Sequence, residues 1–373
     1  MPSLRAGVDR LPPYVAGRPI EEVADEFGFD PRSVVKLASN ESPLPPFPEV
    51  VEAIAAHAGT LNRYPDNGWH EVARAVGEWL DVDEKNLMFA GGSSELLRVF
   101  ALAVGGAGTS AVYAWPSFII YRLASVLAES EPIEVPLTAD HQLDPDALVE
   151  AIRSDTTVLY LCNPNNPTGS YLGSARMKEV IDRVGDSALV VIDEAYFDYV
   201  TASDYASAIP EALARPNVVV TRTFSKVFGL AGLRVGFAIG QEKTLLELRR
   251  AQAPFTVSTL AMAAAIEAVR HPHRIRERVE ANETGRQRLA RELSMRQIEY
   301  VPSQTNFIFF RPIPGVNLEE NFLRRGVIVR PFGEDWLRVT IGTPEEMNRF
   351  LSELDEIRQQ TSDIRHETSK SDV

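Results

Sequence analysis

The sequence predicts an α/β fold in two parts: a large domain built on a mostly parallel, mixed sheet flanked by helices, and a smaller α/β domain. Two observations lead to this prediction. Short apolar runs alternate with helical stretches through residue 240, an order typical of parallel strands covered by helices on both faces. Beyond residue 271 a long charged helix is followed by short strands in close succession, which indicates a second domain.

The expected boundaries follow changes in composition. Residues 1–40 form an arm rich in proline and glycine, which we expect to join the small domain. Two prolines in this arm, Pro12 and Pro13, exclude a regular helix around them, because proline fixes φ and lacks an N–H donor. Residues 41–270 are expected to form the large domain and 271–360 the small one. Residues 361–373 are polar and charged, which predicts a disordered tail.

The totals favour an ordinary soluble globular protein. Hydrophobic residues make up 45% of the 373 residues and charged residues 24%, and the net charge is −14. Such an acidic chain disfavours nucleic acid or an anionic membrane as the main partner. No apolar run approaches the ~18 residues of a membrane span, and the N-terminus lacks the pattern of a secretory signal. We therefore expect a cytoplasmic protein.

Cysteine and histidine offer little chemistry in this chain. Cys162 is the only cysteine, so no intrachain disulfide can form, and its place at the end of an apolar run predicts a packed thiol rather than a nucleophile. The six histidines show no metal-ligand spacing. We therefore expect no metal in this protein.

The first elements of the chain lead to an anion-binding turn. A strand is predicted at 34–38 and a helix at 48–57. The next predicted strand, 87–90, is followed by two glycines, then Ser93 and Ser94, then a helical stretch. In such an arrangement of strand, glycine-rich turn and helix, free N–H groups face an anion such as phosphate. The two serines also suit helix capping, and the two roles are compatible.

Four further apolar runs predict the inner strands of the sheet, at 111–115, 157–161, 188–192 and 218–220. In an open α/β sheet, ligands bind beyond the carboxyl ends of such strands. The stretches that follow the last three of these strands carry Asn166, Asp193 and Lys226. We therefore expect an amide, a carboxylate and an amine to meet in one crevice.

Lys226 is the predicted reactive group. It lies among glycines and apolar residues, where burial would disfavour its charged form, lower its pKa and leave a nucleophilic amine. Such an amine suits covalent attachment of an aldehyde. The alternative is a surface lysine whose ammonium reaches water. With Asp193 for a pyridinium nitrogen and Asn166 for a ring hydroxyl, Lys226 fits pyridoxal phosphate.

The remaining chain is expected to complete both domains. Helices are predicted at 144–154, 241–251, 259–270, 273–295, 318–325 and 344–360, and strands at 300–301, 306–310, 326–330 and 336–340. The helix at 273–295 is long and charged, and we expect it to cross from the large domain to the small one.

Four motifs, taken in order, resemble one known family. They are NPNNPTG at 163–169, DEAY at 193–196, SK at 225–226 and GLRVG at 232–236. Each motif alone is weak, but the combination resembles the fold-type I pyridoxal-phosphate aminotransferases. Within them the chain is similar to the histidinol-phosphate aminotransferase branch, which includes aromatic-amino-acid relatives. The resemblance runs from about Leu11 to about Leu354.

The resemblance implies further contacts to the cofactor. Tyr196 would bond the ring oxygen alongside Asn166, and Phe118 would stack on the pyridine ring, with Trp115 as the alternative. The cofactor phosphate would be held by polar groups of Ser93, Ser94, Ser225 and Arg234, the two adjacent serines acting mainly through their backbone. Tyr64 matches a tyrosine that reaches the cofactor phosphate of the neighbouring subunit. This match implies a homodimer with shared active sites.

The resemblance also implies four substrate contacts. Tyr14 matches a family tyrosine near the substrate phosphate, and Asn40 lies in a turn that meets the substrate. Arg338 matches the arginine that binds the substrate α-carboxylate, for which the planar guanidinium is suited because it can bond both oxygens. Arg330 matches an arginine near the substrate side chain.

The implied activity is transfer of an amino group from a small-molecule donor to a 2-oxo acid, by family analogy 2-oxoglutarate. L-histidinol phosphate is the favoured donor. An aromatic amino acid such as phenylalanine is the alternative, since imidazole and phenyl rings are similar in size and flatness. A decarboxylase or lyase could use the same cofactor set. A DNA-binding regulator would need a basic N-terminal domain, which we do not expect in this acidic chain.

Overall fold

The computed structural model describes residues 7–11, 17–311, 317–333 and 335–371. In chain order the strands of that part are β1 (Val35–Lys36), β2 (Leu87–Ala90), β3 (Ser110–Trp115), β4 (Glu131–Pro136), β5 (Thr156–Cys162), β6 (Leu189–Asp193), β7 (Val218–Thr223), β8 (Gly236–Ile239), β9 (Tyr300–Val301), β10 (Phe307–Phe310), β11 (Val327–Ile328), β12 (Arg330–Phe332) and β13 (Trp336–Thr340).

The α-helices of the same part alternate with these strands. They are α1 (Ile20–Phe27), α2 (Pro48–His57), α3 (His70–Leu80), α4 (Ser93–Val104), α5 (Ile120–Leu127), α6 (Pro145–Glu150), α7 (Ser174–Val184), α8 (Ile209–Ala214), α9 (Glu242–Leu248), α10 (Thr259–Val269), α11 (Pro272–Met295), α12 (Leu318–Leu323) and α13 (Pro344–Ser371).

The large domain is built on a seven-stranded sheet with the spatial order β2-β8-β7-β6-β5-β3-β4. β8 pairs antiparallel with both of its neighbours, whereas β7, β6, β5, β3 and β4 pair in parallel. Every residue of β6 and β7 is buried, which requires cover on both faces of the sheet. The predicted mixed, mostly parallel sheet is therefore confirmed.

The small domain has a sheet and a core of its own. Its four strands follow the order β12-β13-β10-β9. β1, near the end of the N-terminal arm, pairs in parallel with β11 and joins this part of the arm to the small domain. Leu37, just after β1, packs in one cluster with apolar residues of β10, α12 and α13. The residues that follow β1 are therefore fixed against the small domain, while α2 and α3 pack in the core of the large domain.

The structure contains elements that the sequence-based prediction lacked, among them the helices α1, α3, α5, α7 and α8. β4 and β8 were not predicted: β4 is an edge strand with two prolines and two glutamates, and β8 is a short run that follows a motif rich in glycine. The last helix continues past the expected end at 360 to Ser371, through most of the stretch expected to be disordered. No proline or glycine interrupts residues 345–371, so nothing in the backbone ends the helix earlier.

This topology brings several segments to one edge of the large sheet. The parallel strands β5, β6 and β7 end there, and the N-terminus of α4 follows β2 at the same edge. The turn after β1 and the strands β12 and β13 lie on the other side of the crevice from this edge. The turn and β13 are held together because Thr340 donates its backbone N–H to the Leu37 carbonyl oxygen at 2.9 Å. The crevice between the two domains is the place where the site must form.

Candidate active site

A cavity of about 360 Å³ lies in this crevice and is lined by most of the side chains that the sequence singled out. They are Asn40, Ser93, Ser94, Phe118, Asn166, Asp193, Tyr196, Ser225, Lys226, Arg234, Arg330 and Arg338. Residues from at least seven separate segments therefore meet in one place, as the strand-end argument predicted.

Lys226 lies in the turn after β7, inside the crevice rather than on the surface. Its Nζ donates to the Asn40 carbonyl oxygen at 3.1 Å and lies 5.5 Å from the centre of the Tyr196 ring. Burial lowers the pKa of Lys226 to about 8, and the positive charge of Arg338 acts in the same direction. Near neutral pH the nucleophilic neutral amine is therefore more abundant than for an exposed lysine.

Asp193 ends β6, and its side chain is buried. Its Oδ2 accepts a hydrogen bond from the Tyr121 hydroxyl at 2.9 Å, and its Oδ1 accepts one from Thr221 Oγ1 at 3.2 Å. Burial raises the pKa of Asp193 to about 6, against the opposing effect of these two hydrogen bonds. A buried carboxylate of this kind is suited to pair with a positively charged group in the crevice.

Arg338 joins Asn166 to the turn after β1. Its Nη1 donates to Asn166 Oδ1, and its Nη2 donates to the Ala38 carbonyl oxygen at 2.6 Å. The register of β12 and β13 sets Arg330 opposite Arg338, and both line the crevice. Both arginines thus bring a guanidinium group to the crevice lining, and such groups suit the binding of a phosphate or a carboxylate.

Asn40 connects the two sides of the crevice. It has a φ of 54°, in the left-handed region, and its side chain is 1% exposed. Its Nδ2 donates to the Tyr196 hydroxyl at 2.9 Å, and its Oδ1 accepts from Thr340 Oγ1 at 3.3 Å. Its carbonyl oxygen accepts from Asn306 as well as from Lys226. In this structure Asn40 thus holds other site residues in place, a role that the sequence did not predict.

The N-terminus of α4 forms another end of the crevice. Gly92 is the N-cap, and no side chain caps the first turn, so Ser93 and Ser94 do not take the capping role that the sequence allowed. Arg234 Nη1 lies 3.5 Å from Ser225 Oγ, and a Cβ on Gly92 would come within 2.5 Å of Arg234 Nη2. Glycine therefore lets the guanidinium approach the helix end, where N–H groups and a cation together suit a phosphate.

Phe118, rather than Trp115, lines the crevice. The Trp115 ring instead packs beneath the Arg122 guanidinium, whose carbon lies 4.6 Å from the ring centre. Phe118 follows a loop that Asn165 holds in place, because Asn165 Oδ1 accepts from Ser117 Oγ at 2.7 Å. Phe118 is therefore the aromatic residue that would stack on a ring bound in the crevice.

One described residue that the sequence predicted for the site, Tyr64, does not line the crevice. Tyr64 is 82% exposed and stacks on Phe255, with ring centres 4.7 Å apart. It borders a separate groove of about 650 Å³ that residues of α3 and α10 also line. Tyr14 lies outside the described residues, so its predicted position near the substrate stays a prediction.

Sequence reasoning missed two neighbours of Asp193. Tyr121 lies three residues after Phe118, at the start of α5, and no sequence pattern distinguishes it there from a core tyrosine. Thr221 lies opposite Asp193 in the β6–β7 register. Arg222, the next residue, is structural: it forms a buried ion pair with Glu194 at 2.8 Å and lies over the Phe197 ring.

The described residues outside the crevice offer no other site in which the predicted site residues come together. A larger cavity of about 620 Å³ lies between α11 and the start of α13, and it is lined by none of the predicted site residues that the structure describes. No described helix is long and apolar enough to cross a membrane. The same part of the chain has no group of three or more His, Cys, Asp or Glu side chains placed to hold a metal ion.

The donor set of the crevice fits pyridoxal phosphate. The cofactor has an aldehyde, a ring nitrogen, a ring oxygen and a phosphate. The crevice presents an amine at Lys226, a carboxylate at Asp193, an amide at Asn166, and a helix N-terminus with Arg234. The fold and this donor set define a pyridoxal-phosphate-dependent enzyme of fold type I.

Comparison with known proteins gives the family. The model of the family "Aminotransferase class I and II" matches residues 32–354. A histidinol-phosphate aminotransferase of Geobacillus thermodenitrificans is 39% identical over 352 residues, which are 92% of this chain and 95% of that protein. The chain belongs to the class I and II aminotransferases, and it is a pyridoxal-phosphate-dependent aminotransferase.

Two further proteins show the range of the relatives. An aromatic amino acid aminotransferase of Nocardia farcinica is 38% identical over 353 residues, covering 93% of this chain and 95% of that protein. The crystal structure of histidinol-phosphate aminotransferase from Sinorhizobium meliloti, in complex with pyridoxal-5'-phosphate, superposes with a TM-score of 0.87 at 24% identity. The superposition covers 96% of this chain and 98% of the Sinorhizobium meliloti chain, and it shows that the two proteins share a fold.

Proposed function

We propose that this protein transfers the amino group of L-histidinol phosphate to 2-oxoglutarate, giving imidazole-acetol phosphate and L-glutamate. The observation that carries the proposal is the pair of guanidinium groups, Arg330 and Arg338, in the same crevice as Lys226. They offer one cationic site for the phosphate of the donor and for a carboxylate of the acceptor. The 39% identity to a histidinol-phosphate aminotransferase supports the same donor.

Each cofactor contact is assigned to a residue of the crevice. Bound pyridoxal phosphate supplies an electron sink for charge that develops at the donor Cα. Lys226 binds the aldehyde through Nζ, and Asp193 pairs with the ring nitrogen. Asn166 and Tyr196 bond the ring oxygen. The N-terminus of α4 and Arg234 bind the phosphate, with help from the nearby hydroxyls.

Lys226 also acts as the general base and acid. Its free amine would take the proton from the donor Cα and, as the ammonium, would return a proton later in the reaction. The pKa of about 8 places both protonation states within reach near neutral pH. The Asn40 carbonyl oxygen, 3.1 Å from Nζ, keeps the free amine inside the crevice.

An aromatic amino acid is the second candidate donor. The chain is 38% identical to an aromatic amino acid aminotransferase, nearly the 39% that it shares with the histidinol-phosphate enzyme. This near-equal identity is the observation that supports an aromatic donor. In that case Arg338 would bind the α-carboxylate of the donor, and Arg330 would contact the region of its side chain.

A comparison of two donors tests the proposal. We would measure kcat/KM for L-histidinol phosphate and for L-phenylalanine, each with 2-oxoglutarate, on the protein loaded with pyridoxal phosphate, using Lys226→Ala as the background. We expect a preference for histidinol phosphate of tenfold or more, roughly 1.4 kcal/mol in transition-state binding. A reversed preference would establish the aromatic donor. Carbon dioxide release without amino transfer would establish a decarboxylase instead.

We also propose that the protein is a homodimer, with Tyr64 directed toward the site of the second copy. The exposed Tyr64–Phe255 pair and Leu61, which is 52% exposed, lie beside the groove of α3 and α10. An exposed apolar patch of this kind marks a protein contact. The resemblance of Tyr64 to a tyrosine shared between subunits favours a second copy of this chain as the occupant.

Sedimentation equilibrium tests the dimer. We expect the wild type to have the mass of two chains and Leu61→Glu to dissociate, because the new charge would be buried without a partner. Leu246→Glu is the matched control, since Leu246 is similarly exposed at 56% but lies on α9. A wild type that stays monomeric at all concentrations would overturn the proposal.

A further inference from the structure

A fully buried tyrosine contacts two of the groups assigned to the cofactor ring. The Tyr121 hydroxyl donates to Asp193 Oδ2 at 2.9 Å, and its ring meets the Phe118 ring edge-on, with centres 5.8 Å apart. We propose that Tyr121 is a positioning residue for the cofactor, which orients the Asp193 carboxylate and keeps it anionic. This inference rests on the role proposed for Asp193.

Packing fixes the Tyr121 side chain. Its ring stacks on Tyr160 with centres 4.9 Å apart and planes 13° apart, and it also contacts the Tyr113 ring. Tyr113 and Tyr160 belong to β3 and β5, so the ring is held between α5 and the sheet. Because the ring is fully buried and packed against these two rings, the Tyr121 hydroxyl is held at the Asp193 carboxylate.

The two oxygens of Asp193 are each bonded by a different element. Tyr121 on α5 bonds Oδ2, and Thr221 on β7 bonds Oδ1 at 3.2 Å. Any rotation of the carboxylate would break both hydrogen bonds. A carboxylate has about four lone-pair positions, so positions remain for a group in the crevice. The plane of the carboxylate is therefore set before any ligand binds.

The charge of Asp193 depends on the same contacts. Burial is the largest influence and raises its pKa, whereas the hydrogen bonds from Tyr121 and Thr221 and the charge of Lys226 lower it. The titratable groups that face Asp193 are Tyr121, Cys162, Tyr196 and Lys226. Without the Tyr121 hydroxyl the pKa of Asp193 rises, so the carboxyl group stays protonated, and unable to pair with a charged ring nitrogen, up to a higher pH.

Tyr121→Phe and Tyr160→Phe form a matched pair that tests the inference. Both changes remove one buried hydroxyl from the same aromatic stack, but the Tyr160 hydroxyl has only a 3.5 Å contact with the Leu97 carbonyl oxygen. We would measure the dissociation constant of pyridoxal phosphate by equilibrium dialysis on either side of neutral pH. We expect Tyr121→Phe to weaken binding about tenfold, the effect of one hydrogen bond to a charged group, and to move the midpoint of the pH profile upward.

The outcomes separate this inference from the role of Asp193. Equal affinities and equal pH midpoints for the two tyrosine variants would overturn it. Asp193→Asn should weaken binding more than either variant. If Asp193→Asn binds like the wild type, the role of Asp193 fails and this inference fails with it. If Asp193→Asn binds weakly and Tyr121→Phe does not, this inference alone fails. All measurements are made below the melting temperature of the least stable variant.

Discussion

The crevice has two sides that differ in how they are built. Its floor consists of Asn166, Asp193 and Lys226, which follow the neighbouring strands β5, β6 and β7 of one sheet. Its mouth consists of Asn40, Arg330 and Arg338, which come from the turn after β1 and from the small domain. The floor is fixed by strand register, whereas the mouth is fixed by hydrogen bonds between distant segments.

This difference in construction indicates which part of the reaction each side serves. A floor on one rigid sheet keeps the amine and the carboxylate at constant positions, which suits the bond-making chemistry. A mouth that carries two arginines suits the binding and selection of an anionic substrate. Asn40 links the two, since it bonds Tyr196 and Lys226 of the large domain and Thr340 of the small one.

The largest expected effect comes from breaking the floor. Lys226→Ala removes the group assigned both to the aldehyde and to the proton at Cα. We expect kcat to fall by at least the roughly 10²–10⁴-fold typical of one general acid–base group. Steady-state kinetics with either donor would measure the loss. Lys178→Ala is the control, because Lys178 is exposed on α7, where it pairs with Asp182. Near-wild-type turnover by Lys226→Ala would disprove the assignment of the floor.

The floor could be predicted from the sequence because each of its residues follows an apolar run. The runs predict parallel strands, parallel strands end at one edge, and the residues beyond those ends must converge. Asn166, Asp193 and Lys226 all lie in the crevice as this argument requires. The fold class followed from the same alternation, and the comparisons confirm the family that the motifs indicated.

The mouth could be predicted only in part. The resemblance indicated Asn40, Arg330 and Arg338 as residues of the site, but not what they contact. Asn40 is 300 residues from Thr340, and Arg338 is 172 residues from Asn166, so no local pattern reports these hydrogen bonds. Tyr121 escaped notice for a similar reason: a tyrosine on an apolar helix face is indistinguishable from core until its hydroxyl is located.

A smaller effect, of a different kind, is expected from breaking the mouth. Arg338→Lys keeps the positive charge but loses the planar fork, so it cannot bond Asn166 and Ala38 together while it binds a substrate anion. We expect KM for 2-oxoglutarate to rise about 10–100-fold, the effect of one or two hydrogen bonds to a charged group, with a smaller change in kcat. Steady-state kinetics at saturating amino donor would measure both constants.

A control variant and the kinetic constants of Arg338→Lys together show whether the floor and the mouth have separate functions. Arg311→Lys changes an exposed arginine just beyond β10 in the same small sheet, and it should leave both constants unchanged. If Arg338→Lys has the KM of the wild type, the mouth does not bind the acceptor through Arg338. If it instead lowers kcat as much as Lys226→Ala does, Arg338 acts on the chemistry through Asn166, and the site works as one unit rather than as a floor and a mouth.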